Sequence, residues 1–80
     1  MTARVYVTLR KEVLDPQGKA VKSALRSLGF AEVEDVRVGK YLEVTINGEG
    51  GEAEAQVRRM CEKLLANPVI ENFRFELTEG

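Results

Sequence analysis

The chain opens on strict alternation. Ala3, Val5, Val7 and Leu9 share one parity, while Arg4, Tyr6, Thr8 and Arg10 share the other. A period of two sends successive side chains to opposite faces, which predicts a half-buried strand from Ala3 to Arg10. The period then changes within "VLDPQGKAVKSALRSLGF", Val13 to Phe30. Ala20, Val21, Ala24, Leu25 and Leu28 recur at helical spacing, with Lys19, Lys22 and Arg26 on the wetter side. Asp15 is suited to the N-cap, where its carboxylate accepts free amide protons of the first turn. Pro16 suits the first helical position, where a missing N–H costs nothing. Gly29 suits a left-handed stop, with Phe30 folding back as the apolar contact that accompanies it. Gly18 lies inside the first turn, where glycine weakens a helix relative to alanine. Its presence there predicts close approach of another backbone.

Residues Val33 to Asn47 read as extended, with Val36, Val38, Leu42, Val44 and Ile46 on one parity. Gly39-Lys40 resembles a two-residue hairpin turn. Such a loop would set Val38 against Tyr41 and Val36 against Glu43, mixing apolar with polar. A three-residue loop, Gly39-Lys40-Tyr41, or one long strand bent at Gly39, keeps the parity, and either is preferred. "NGEGGE", Asn47 to Glu52, reads as a glycine-rich turn before a second helix. Glu52 and Glu54 lie near its N-terminus, where the helix dipole favours acids. Val57, Met60, Cys61 and Leu64 form its apolar stripe, with Cys61 as a small core residue. Asn67-Pro68 ends this helix, because proline restricts the residue before it. The last strand runs from Val69 to Leu77, with Phe73, Phe75 and Leu77 inward.

The order strand, helix, strand (long or paired), helix, strand predicts one α+β domain over residues 1–80. Its expected form is an antiparallel sheet with both helices on one face, in the ferredoxin-like manner. A chain of 80 residues buries only about 60–65% of its unfolded surface, so the core is marginal. One cysteine and no histidine exclude an internal disulfide and a zinc site of the usual kind. Oligomerisation is then the expected remedy.

Twelve basic and thirteen acidic residues give a net charge of −1, without the clustered basic face of a nucleic-acid binder. No apolar run is long enough to span a membrane and no signal-peptide core is present, so the expectation is cytoplasmic. Without histidine, catalytic triads and histidine acid–base chemistry are unavailable. The glycine and lysine near the first helix start do not make a phosphate loop, which needs G-x-x-x-x-G-K-[ST] after a buried strand. In "NGEGGE" two glutamates would repel a phosphate. An independent enzyme is not expected.

Three strings narrow the reading: "VLDPQGKAVKSALRSLGF", "VEDVRVGKYLEV" and "CEKLLANPVIENFRFEL". Together they closely resemble the PurS family, the small subunit of phosphoribosylformylglycinamidine synthase. The matching features are a Leu-Asp-Pro-x-Gly helix start, a Leu-Gly-Phe stop, a Val-Arg-x-Gly-Lys bend and a Leu-Leu-Ala-Asn-Pro-Val-Ile-Glu ending. All four occur in order over nearly the full chain. The departure is length in the "NGEGGEAEAQ" region.

The resemblance implies a non-catalytic subunit of the enzyme that converts formylglycinamide ribonucleotide, ATP and glutamine to formylglycinamidine ribonucleotide in purine biosynthesis. It would bridge a glutaminase subunit and a large synthetase subunit and assist ammonia transfer. No cofactor would be held by this chain, while the complex would use ATP and Mg. Self-association as a dimer or tetramer is implied too. Asp15, Pro16, Gly18, Arg37, Gly39, Lys40, Asn67 and Pro68 are the candidate partner contacts, each of which also serves as a cap, bend or helix stop. The alternative is a small-molecule-sensing regulatory module that dimerises. An RNA-binding sheet would have only Tyr6 and Tyr41 as outward aromatics, and a metallochaperone would lack its second cysteine.

Overall fold

The computed structural model describes residues 1–47 and 50–79. In chain order its elements are β1 (Thr2–Leu9), α1 (Pro16–Ser27), β2 (Gly39–Thr45), α2 (Gly50–Met60), a π-helical turn over Cys61–Leu65, and β3 (Glu71–Thr78). The strands form a three-stranded sheet in the order β2-β1-β3, antiparallel throughout. This is the expected α+β class.

Register follows from the alternation in β1. Val5 lies between Leu42 and Phe75, and Ala3 between Val44 and Leu77, so one face of the sheet is apolar across all three strands up to its end, where Lys40 lies opposite Val7. α2 covers that face. Ala3, Val5, Val7, Val57, Cys61 and Ala66 are buried together, with Leu42, Val44, Phe73, Phe75 and Leu77 packed round them. The opposite face is polar and laid out in rows: Tyr6 lies between Tyr41 and Arg74, Arg4 between Glu43 and Glu76. The Tyr6 and Tyr41 rings are 5.2 Å apart, and the Arg74 guanidinium sits 4.0 Å above Tyr6.

Three details depart from the pattern-based expectation. First, Gly39, Lys40 and Tyr41 lie within β2 and pair with Thr8, Val7 and Tyr6. There is no hairpin loop here; β2 is one strand that begins at Gly39, and Val33–Val38 precede it without strand assignment. Second, the helical stripe does not continue to Leu64, which is 82% exposed. Ala66 donates its N–H to the Cys61 carbonyl at 3.0 Å, a five-residue step that adds one residue to the turn. Burial therefore runs Ala53, Val57, Cys61, Ala66, and Leu64 is rotated outward while Leu65 packs on the core. Third, only Gly18 of α1 is buried, and no α1 residue belongs to the core or packs against it. α2 alone covers the face that both helices were expected to share. The dimensions show the result: a radius of gyration of 16.0 Å and extents of 48 × 28 × 14 Å, where a compact chain of this length has a radius of about 12 Å.

The glycine-rich connection expected at Asn47–Glu52 falls partly outside the described residues. No helix among those described is long and apolar enough to cross a membrane.

Candidate functional site

α1 is set by its ends rather than by the sheet. Asp15 is extended at the N-cap, and its Oδ1 accepts the Gly18 N–H at 2.9 Å. Pro16 occupies the first turn. At the other end Gly29 has φ of 103°, the left-handed conformation that glycine adopts without penalty. The Gly29 N–H reaches the Arg26 carbonyl and the Phe30 N–H the Leu25 carbonyl, both at 3.1 Å. That pair of bonds is a Schellman stop.

Both connections of α1 meet at its base, and they hold each other reciprocally. Asp15, on the outgoing connection, is 4% exposed; its second oxygen accepts the Val38 N–H at 2.7 Å on the returning one. Arg37, on the returning connection, donates to the carbonyls of Arg10 at 2.8 Å and Val13 at 2.9 Å on the outgoing one. The N–H groups of Val38 and Gly18, with the charge of Arg37, hold the Asp15 carboxyl below its ordinary value. Gly18 is where the two connections touch: a Cβ there would collide with the Val36 carbonyl and lie 2.8 Å from Asp15 Oδ2. This is the close backbone approach that the glycine predicted. Residues 10–38 thus form an arm closed at a neck.

The remaining candidate residues lie next to this neck. Gly39 is packed against β1, where a Cβ would stand 2.6 Å from the Val7 carbonyl. Lys40 reaches from β2 to the Leu65 carbonyl at 3.3 Å and lies 3.8 Å from the Glu71 carboxylate. It places a cation at the C-terminal end of the second helical segment, where the helix dipole favours one. Asn67 organises the turn into β3: its carbonyl accepts the N–H groups of Ile70 and Glu71, and its Oδ1 accepts that of Val69 at 3.0 Å. The Asn67 N–H in turn donates to Glu71 Oε1 at 2.7 Å. Arg10 donates to the Pro68 carbonyl at 2.6 Å.

All eight candidates are therefore gathered at one end of the sheet, where β1 ends and β2 and β3 begin. Arg10 and Glu71 complete the set, and sequence reasoning missed them. Arg10 acts on a carbonyl far off in sequence, while Glu71 caps an N–H four residues earlier and pairs with Lys40 on another strand; neither sits in a pattern that signals these partners. Cys61 is buried, and that burial pushes its thiol up rather than activating it. Among the described residues no group of three or more His, Cys, Asp or Glu could hold a metal.

What the described residues do present is apolar surface. Leu14, Val21, Leu28 and Phe30 on and around α1 are 63%, 42%, 74% and 57% exposed. Tyr41, Leu64, Val69 and Ile70 are exposed as well, and exposed apolar surface of this kind is where interaction sites are found. The family model named PurS, described as phosphoribosylformylglycinamidine (FGAM) synthase, matches residues 2–79. The chain belongs to the PurS family. Phosphoribosylformylglycinamidine synthase subunit PurS of Bacillus subtilis is 54% identical over 76 residues, covering 95% of this chain and 90% of that one. The Archaeoglobus fulgidus subunit of the same name is 46% identical, covering 91% and 92%. Among solved structures, Bacillus subtilis PurS superposes with a TM-score of 0.89 at 52% identity over 98% of each chain. A chain of PurLQS from Thermotoga maritima gives a TM-score of 0.83 at 32% identity, over 94% of this PurS-family chain and 93% of that chain.

Proposed function

We propose that this chain is the small, non-catalytic subunit of phosphoribosylformylglycinamidine synthase in purine biosynthesis. The complex converts formylglycinamide ribonucleotide, ATP, glutamine and water to formylglycinamidine ribonucleotide, ADP, phosphate and glutamate. In this reading the chain bridges the glutaminase and synthetase subunits and assists transfer of ammonia between them. It works in the cytoplasm and associates with itself as a dimer or tetramer. ATP and Mg are held elsewhere in the complex.

The observation that carries the assembly role is α1. A helix with a clear apolar stripe, fixed at both ends and left uncovered, has lost the contacts that normally stabilise so short a helix. A protein surface that covers Val21, Leu28 and Phe30 supplies them. The neck then acts as a mount, setting the direction in which α1 is presented. Asn67, Pro68 and Lys40 flank that mount and are placed to meet the same partner.

The test is synthesis of formylglycinamidine ribonucleotide by purified glutaminase and synthetase subunits, with and without this chain, on glutamine and on ammonium. The expected result is a glutamine-driven rate that needs the chain and an ammonium-driven rate that needs it far less. Two rates that both ignore the chain overturn the coupling role.

A further inference from the structure

We infer that the outer side of α2 and of the π-helical turn after it is a second docking face, which takes an apolar pocket rimmed by carboxylates on one of the two larger subunits. This inference rests on the bridging role proposed above, since a bridge needs two separate faces and α1 supplies only one. Gln56, Arg59, Met60, Lys63 and Leu64 follow one another at alternating steps of three residues and one, the spacing that gathers side chains on one side of a helix. Burial in the same segment runs through Ala53, Val57, Cys61 and Ala66, so the stripe lies on a different side from the core. Gln56, Arg59, Lys63 and Leu64 are exposed and Met60 is half-buried. The first four residues of the stripe line an open recess, and Leu64 stands at its end.

Two independent observations point to a partner and to its chemistry. The first is how Leu64 comes to be exposed. In an unbroken α-helix it would follow Cys61 by three residues and Val57 by seven, on the buried stripe. The π turn sends Leu65 and Ala66 to the core instead and leaves Leu64 82% exposed. Single π turns of this kind recur at functional sites. Here the extra residue turns a leucine that the core could have used into a knob on the surface. The second observation is charge. Arg58 is held by Glu54 at 3.6 Å, whereas Arg59 and Lys63 belong to no ion pair among the described residues. Glu52 stands a turn before the stripe, and Glu62 lines a neighbouring recess with Glu54, Arg58 and Arg59; no acid stands on the stripe itself. Methionine and arginine are enriched where proteins meet, and an apolar side chain filling a pocket supplies most of the affinity of such a contact. Charges at the rim choose the partner, and two cations choose an acidic one.

Calorimetric titration of each purified larger subunit with this chain tests the assignment, using the wild type, Leu64→Ala and the double variant Arg59→Glu, Lys63→Glu. The substituted side chains are exposed, so circular dichroism and thermal unfolding should match the wild type. Each variant is expected to lose about tenfold or more in affinity for one of the larger subunits and to hold the other as before. For the affected subunit, wild-type binding weakens as salt rises from about 50 to 300 mM, and binding of the double variant does not. Wild-type affinity of both variants for both subunits overturns the docking face and leaves the bridging role standing. Loss of self-association with both subunits still held overturns it too, giving the face to a second copy of this chain. A wild type that binds neither larger subunit overturns the bridging role and the face with it.

Discussion

Gly18→Ala is the substitution whose sign depends most on the neck. In an exposed helix the change from glycine to alanine gains up to about 1 kcal/mol of helix propensity. At Gly18 the new methyl would collide with the Val36 carbonyl, which is backbone and cannot swing aside, and would lie 2.8 Å from Asp15 Oδ2. Forcing a carbon into a filled site costs typically about 1–3 kcal/mol. The strain exceeds the propensity, so the variant is expected to be less stable by about 1–2 kcal/mol. Gly51 provides the comparison, because it lies in the first turn of α2 and a Cβ there meets nothing within 4 Å. Gly51→Ala is expected to be neutral or stabilising by up to about 1 kcal/mol. Urea unfolding at one fixed protein concentration measures both, since self-association makes apparent stability depend on concentration. With a denaturant slope of about 1 kcal/mol/M for so small a chain, the Gly18→Ala midpoint falls by about 1–2 M. A midpoint for Gly18→Ala equal to or above that of the wild type would refute the account of the neck.

Four further outcomes follow from the structure. The Asp15 carboxyl is held below its ordinary 3.8, so its contribution is complete above that value and is lost as pH falls through the lower folded-state value. Asp15→Asn should therefore lower stability at neutral pH and flatten the loss of stability as pH falls below 3.8, as read by urea midpoints. Cys61 is fully buried with its thiol pushed up, so a thiol reagent should label the folded protein only as fast as it opens, and at once in denaturant. Arg37→Ala removes two hydrogen bonds to carbonyls across the neck; a loss of about 1 kcal/mol should accompany weaker holoenzyme assembly. Lys40→Ala removes an exposed bond to the Leu65 carbonyl and the ion pair with the largely buried Glu71 carboxylate, and should cost no more than about 1 kcal/mol of stability. Its effect in a pull-down of the other two subunits then reports on partner contact directly.

What could be read from the sequence was what the chain settles locally. Asp15, Pro16 and Gly29 act on neighbours within a turn or two, so the limits of α1 were legible. The alternation of β1 determined which face is buried, and with it the inward parity of β2 and β3. Local patterns failed where a distant partner decides. Val33–Val38 have the composition of a strand, yet β1 is already flanked by β2 and β3, and backbone groups of Val36 and Val38 are used against Gly18 and Asp15. The outward turn of Leu64 depends on a single inserted residue in the helix, which leaves no mark on apolar spacing at that length. The candidate residues were legible one by one as caps and bends. Their gathering at one end of the sheet was not, because it is a property of topology. The stripe on α1 was read correctly as apolar but assigned to the wrong cover, since periodicity reports that a face must be buried and not by which molecule.

The closed neck has a consequence for how this small protein can change. Because Asp15 and Arg37 pin the two connections to each other, the ends of the arm stay together whatever lies between them. The sheet senses only that junction. Lengthening a loop whose ends are already joined costs little, about 0.6 kcal/mol per doubling, and the pairing of Thr8 with Gly39 beyond the neck is untouched. The arm is thus a cassette with fixed fittings. An arm from another family member should be transplantable at residues 10 and 38 with the sheet intact, carrying its donor's choice of binding partner with it.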